Sequence, residues 1–156
     1  MRISTRGEYG LRALMELGME PGVALSLRDI ANRQQISLDY LEQIVPSLKS
    51  AGLIKAKRGA HGGYQLAKAP EKITAYDALL ALEGTFNPMA CLSNDDCLAS
   101  GNCSVQEVWG EIKDAVEDVL KKKTLAQMIE RQRESFKVPI RTYNGDREIM
   151  QLPVLD

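Results

Sequence analysis

Three cysteines, Cys91, Cys97 and Cys103, follow one another in C-x5-C-x5-C order. Thiolates bind iron and zinc strongly, and three of them on one loop make a site that folds around what it binds. An odd number in a chain read as cytoplasmic argues against a structural disulfide framework. Structural zinc usually uses tighter pairs such as C-x2-C, but the spacing alone leaves zinc and an iron-sulfur cluster both open. Cys103 directly precedes a helix expected to be capped by Ser104, and the positive end of a helix dipole favours a thiolate. A fourth donor is needed. The one histidine, His61, stands far from the cysteines in the sequence.

A second set of residues bears on polyanions. The net charge is −1, yet residues 1–68 hold ten Lys or Arg against six Asp or Glu, a net +4, which leaves −5 for the remainder. A basic N-terminal part is the footprint a nucleic acid partner needs, and a merely solvated surface is the bland alternative. No 18-residue apolar stretch occurs, and Met1–Arg6 lacks a signal-peptide core, so we expect a cytoplasmic protein with no membrane partner.

The elements that must position these residues follow from periodicity and caps. Leu11, Leu14, Met15 and Leu17 mark a helix over 4–19, with Thr5-x-x-Glu8 as its capping box. Ser26-x-x-Asp29 opens a second, short helix with Leu27, Ile30 and Ala31 on one face. A third helix starts after Ser37, carries Leu38, Leu41, Val45 and Leu48 inward, and stops at Gly52. Pro46 inside it is anomalous, because an interior proline costs about 3 kcal/mol, and predicts a kink or a lost backbone bond. Residues 53–57 and 64–66 read as strands around Arg58-Gly59-Ala60-His61-Gly62-Gly63, a hairpin with a glycine-rich tip. This order is that of a winged helix-turn-helix.

Pro70 marks a boundary. Thr74-x-x-Asp77 caps a helix ending at Gly84, and the 19 residues 85–103 form a loop long enough to suggest function. Ser104-x-x-Glu107 caps a long helix whose stripe, Val105, Val108, Trp109, Ile112, Val116, Val119 and Leu120, calls for a partner. A second subunit fits, with burial inside the chain as the alternative. A short helix is expected over 124–136.

Met1-Arg2-Ile3-Ser4, the segment from Ile36 to Gln43, the wing Arg58-Gly59-x-x-Gly62-Gly63-Tyr64-x-Leu66 and the cysteine spacing resemble the bacterial Rrf-type regulators. Within that family the likeness is to the iron-sulfur cluster assembly regulators (IscR) and the nitric-oxide-sensing repressors (NsrR), and it covers roughly residues 1–133. The resemblance implies a homodimer on double-stranded operator DNA, with the third helix in the major groove and the wing against the minor groove. It also implies an iron-sulfur cluster on Cys91, Cys97 and Cys103, with [2Fe-2S] favoured over [4Fe-4S]. The expected fold is mainly α with a small β-hairpin wing, a winged helix-turn-helix domain plus a long dimerisation helix. We divide the chain into a DNA-binding domain at 1–68, a connecting helix at 69–84, a cluster-binding loop at 85–103, a dimerisation helix and short C-terminal helix at 104–136, and a mobile tail at 137–156.

Ser37, Asp39, Tyr40, Glu42 and Gln43 stand where side chains reach base edges. Gln43 suits bidentate pairing with adenine, and Glu42 either reads cytosine, repels wrong sequences or is simply solvated. Arg58 suits a narrow minor groove or a phosphate, and Gly59, Gly62 and Gly63 let the backbone approach DNA, with His61 between them. An ordinary hairpin turn also explains Gly62 and Gly63. For the fourth metal ligand the assembly regulators place a histidine where this chain has Gln106. The nitric-oxide sensors use an N-terminal carboxylate of the partner subunit, and the matching position is Glu8. Completion of its capping box is the other account of Glu8, and the box with Ser104 accounts for Glu107. No residue is assigned a catalytic role. There is no nucleotide-binding glycine motif, no nucleophile with a base, no partner for His61 and no small-molecule substrate implied. The function expected is a transcriptional regulator, a repressor in the first instance, sensing cluster status, redox state or nitric oxide. A zinc-stabilised or thiol-switched DNA-binding regulator without a cluster is the alternative.

Overall fold

A computed structural model describes residues 4–59, 62–85, 87, 89, 92, 103–137, 140–144 and 147–151. Helices α1 (Thr5–Met19), α2 (Leu27–Gln34) and α3 (Leu38–Ser50) precede strands β1 (Ile54–Lys57) and β2 (Gly63–Leu66). A 3-10 turn at Pro70–Lys72 leads to α4 (Ala75–Glu83), α5 (Ser104–Lys122) and α6 (Leu125–Lys137). The chain then forms strands β3 (Ile140–Asn144) and β4 (Arg147–Gln151), an antiparallel hairpin in the segment expected to be a mobile tail.

The fold is the mostly helical winged helix that the periodicity and turn residues predict. The core gathers Leu14, Ile30, Leu41, Ile44, Leu48, Leu53, Ile73 and Leu125, all essentially sealed from solvent. Each such side chain stabilises the fold by roughly 1.5 to 3 kcal/mol. Helix α1 lies at the centre because its glycines admit neighbours closely. A Cβ at Gly10 would lie 2.2 Å from Leu82 of α4, and one at Gly18 would lie 2.3 Å from Ile129 of α6. Helix α6, grouped with the long helix in the sequence reading, thus returns to the N-terminal core. Its path is fixed by Leu125 N–H donating to the Ile73 carbonyl at 2.7 Å and Ala75 N–H to the Lys123 carbonyl at 2.8 Å.

Two of the four expected capping boxes form as read. Ser26 and Asp29 cap α2 reciprocally, and Thr74 and Asp77 do so for α4. The Ser26 hydroxyl and amide hold the Asp29 carboxyl below its ordinary value. The other two boxes are corrected by one residue. Helix α1 is capped by Ser4, whose hydroxyl accepts from the amides of Arg6 and Gly7 and donates to Glu83. Helix α5 is capped by Cys103, with Ser104 already inside the helix. A further box appears where none was read, with Thr124 and Gln127 exchanging bonds of 3.2 Å at the start of α6. Helix α3 runs on through Pro46 without interruption. Among the described residues no helix is long and apolar enough to cross a membrane.

Candidate nucleic-acid interface and metal centre

Helix α3 separates its residues cleanly. Leu41, Ile44, Val45 and Leu48 are buried, whereas Asp39, Glu42, Gln43, Pro46, Lys49 and Ser50 are exposed along the opposite row. Side chains three and four positions apart share a helix face, so the exposed set forms one continuous outward strip. Ser37 occupies the N-cap, as expected, but its side chain makes no capping bond and the residue is exposed. Its hydroxyl is thereby available at the end of the helix where backbone amides also face outward.

Tyr40 departs from that strip. Its ring meets Tyr9 edge-on at 5.7 Å and lies part-buried on the flank facing α1. Ser47, on the same flank, accepts from Arg6 at 2.6 Å. The turn before α3 is held from below by Arg12, whose Nε donates to the Gln34 side chain at 2.8 Å and whose Nη2 donates to the Gln34 carbonyl. Helix α2 is tied to α1 by Arg33, paired with Glu20 and with Glu16 at 3.5 Å, and the Glu20 carboxylate raises the Arg33 pKa. The recognition strip therefore stands on a braced support rather than a loose loop.

The wing adds cations. Lys55, Lys57, Arg58 and Gly59 are exposed on β1 and just beyond it. Lys49, Lys55 and Lys57 were counted in the sequence charge but not placed. The Lys-Ala-Lys alternation of a strand was the signal, since it puts both lysines on one face. Strand β2 lies between β1 and the Leu25 segment, with Leu25 and Tyr64 exchanging backbone bonds of 2.9 and 2.8 Å. This sandwiching explains two wing glycines without DNA. A Cβ on Gly63 would approach the Leu25 carbonyl to 2.4 Å, and one on Gly62 the Lys57 carbonyl to 2.5 Å. His61 lies outside the described residues.

Of the cysteines, Cys91 and Cys97 also lie outside the described residues. Cys103 is a free, partly exposed thiol at the N-cap of α5, where it makes no capping bond. Glu8 sits in the first turn of α1, its carboxylate 62% exposed and 3.6 Å from Arg12. Because Ser4 does the capping, the box that accounted for Glu8 is absent. The box that accounted for Glu107 is absent for the same reason, as Glu107 N–H bonds the Cys103 carbonyl at 3.2 Å and its side chain is exposed. The Ser4–Glu83 bond sets the start of α1 beside the end of α4, from which the cysteine segment departs. Among the described residues no three His, Cys, Asp or Glu side chains gather in a metal-holding group.

Helix α5 exposes its apolar stripe. Val105 is 61%, Val108 50%, Ile112 37% and Val119 59% exposed, and no residue of the helix is buried.

A braced helix presenting polar side chains, next to a basic wing, defines a winged-helix DNA-binding regulator. The chain belongs to the Rrf2 family, described as iron-dependent transcriptional regulators, whose model matches residues 3–131. It is 41% identical over 129 residues to the transcriptional regulator CymR of Bacillus subtilis, covering 82% of this chain and 89% of that one. It is 30% identical over 133 residues to the transcriptional regulator IscR of Erwinia tasmaniensis, covering 85% and 81%. Among solved structures, CymR, the global cysteine regulator of B. subtilis, superposes with a TM-score of 0.73 at 39% identity over 84% of this chain and 98% of that one. IscR of T. potens gives 0.72 at 35% identity over 93% and 94%. The relatives are transcriptional regulators, and the chain is a DNA-binding regulator of this kind.

Proposed function

We propose that the protein is a homodimeric regulator, a repressor at its operators, whose grip on double-stranded DNA is set by an iron-sulfur cluster on Cys91, Cys97 and Cys103. The observation that carries the DNA part is the exposed α3 strip of Asp39, Glu42 and Gln43 over a fully buried apolar row. Ser37 and Arg58 flank it, and Tyr40 serves from its flank as a brace. Residues 1–68 read DNA, the 85–103 segment holds the cluster, and α5 joins the subunits through its exposed stripe.

The donor set fits the group. Three thiolates suit iron, and Cys103, partly exposed at the N-cap of α5, has a side chain not engaged in capping. Such a cluster supplies redox- and nitric-oxide-sensitive chemistry, and we favour [2Fe-2S] over [4Fe-4S]. Glu8 of the partner subunit is the fourth ligand, supported by a carboxylate that does no capping and meets Arg12 at the long distance of 3.6 Å. Glu107, four residues beyond Cys103, is the competing carboxylate.

Anaerobic native mass spectrometry tests the cluster. We expect equal iron and sulfide on each subunit, lost in Cys91→Ala, Cys97→Ala and Cys103→Ala, and destabilised by Glu8→Ala more than by Glu107→Ala or Gln106→Ala. Metal-free protein that binds its operator unchanged overturns the cluster and leaves the DNA reading intact. That outcome supports a second reading, a thiol-switched regulator without a cluster, whereas zinc found in place of iron and sulfide supports a zinc-stabilised one.

A further inference from the structure

Pro46 is the one residue of α3 that works against the helix it sits in. An interior proline removes an i to i−4 hydrogen bond and crowds the preceding turn. Here the helix nevertheless continues four residues past it. Pro46 is exposed, so no burial inside the chain offsets that loss. Its place is not arbitrary: it lies four residues after Glu42 and seven after Asp39, on the same outward strip. Every other side chain of that strip is polar or charged. The pyrrolidine ring is its single apolar patch.

In the major groove, the apolar feature that distinguishes one base from the other three is the 5-methyl group of thymine. We propose that Pro46 is a specificity-determining residue whose ring packs against a thymine methyl in the operator, one helical turn beyond the base read by Gln43. This rests on the reading of α3 as the helix that enters the groove. The ring suits the task because its conformation is locked, so no rotamer freedom is lost when it is seated on the base. Hiding one methyl-sized group is worth about a fourfold change in affinity.

The test uses full-length dimer, as purified anaerobically, and its preferred operator in which each thymine in turn is replaced by uracil, which deletes the methyl alone. Wild-type protein should lose about fourfold at one thymine in each half-site. Pro46→Ala, which removes the contact in both half-sites, should bind the parent operator about 16-fold more weakly and lose no further affinity on either uracil substitution. Alanine favours the helix, so this variant folds. Equal uracil sensitivity in wild type and Pro46→Ala, or none in either, overturns the proposal. Gln43→Ala measured beside it separates the two layers. If it weakens operator binding while Pro46→Ala does not, Pro46 is not a reader although α3 is. If neither changes binding, the reading of α3 has itself failed.

Discussion

Helices α3 and α5 are both amphipathic, yet they settle their apolar faces in opposite ways. In α3 the apolar row is sealed by α1, α2 and α4, with Leu41 fully buried and Leu48 at 1% exposure. What remains outside is polar apart from Pro46, and it is free to meet a polar partner. In α5 the apolar row stays in the open, with Val105 and Val119 each near 60% exposed, while its charges pair along the surface, as in Lys121 with Glu117 at 2.7 Å. The contrast separates two uses of one sequence pattern. A covered stripe builds a platform for recognition, and an uncovered stripe asks for another chain.

The largest effect should come from the platform. Leu41→Ala leaves a cavity beneath the strip and should cost about 2 to 5 kcal/mol in unfolding free energy, measured by urea denaturation. A loss below about 1 kcal/mol would mean that the row is less sealed than its burial indicates. On α5 the same truncation should act on assembly instead. Ile112→Ala should weaken the dimer by roughly 1.5 to 3 kcal/mol, read by analytical ultracentrifugation, with a smaller share of the stability coming from assembly at a given protein concentration. An unchanged dimer would remove the α5 stripe from the interface.

On the strip, Gln43→Ala should cost about 1 to 3 kcal/mol at one operator position and relax preference there, with non-specific binding preserved. Arg58→Ala in the wing should weaken all sequences alike and reduce the salt slope by about one if it holds a phosphate. Half-sites should stand about 10 bp apart or a multiple of that, which footprinting checks. The smallest contrast lies in two serines at N-caps. Ser26→Ala removes a reciprocal box and should cost about 1 kcal/mol of stability, whereas Ser37→Ala, whose hydroxyl caps nothing, should cost only a few tenths and show instead in operator affinity. Equal stability losses would put Ser37 back among ordinary caps.

Much of the recognition half was legible because its signals are local. The Ser26 and Thr74 boxes, the Gly52 and Gly84 stops and the three-and-four spacing of Leu41, Val45 and Leu48 depend on neighbours within one or two helical turns. The α1 cap was misread by one residue because Ser4 and Thr5 are both able to cap, and a contact 79 positions away, Ser4 to Glu83, goes with the first. Tyr40 stands on the flank of α3, where its ring meets Tyr9 of α1 edge-on, a contact that helix position alone does not reveal.

The sequence by itself determined most of the N-terminal elements, α1 to α4 and the β1–β2 wing, since caps and periodicity are written in short stretches of residues; the β3–β4 hairpin carried no such signal. Tertiary structure alone decided which faces are spent. Gly10 and Gly18 became sockets for Leu82 and Ile129, α6 was drawn back onto α1, and α5 was covered by α4 in part, with Val105, Val108, Ile112 and Val119 left in the open. The physical reason is that burial is a property of pairs of surfaces brought together by the whole chain. A stripe on one helix states how much apolar area must be hidden, and only its neighbours state whether it is.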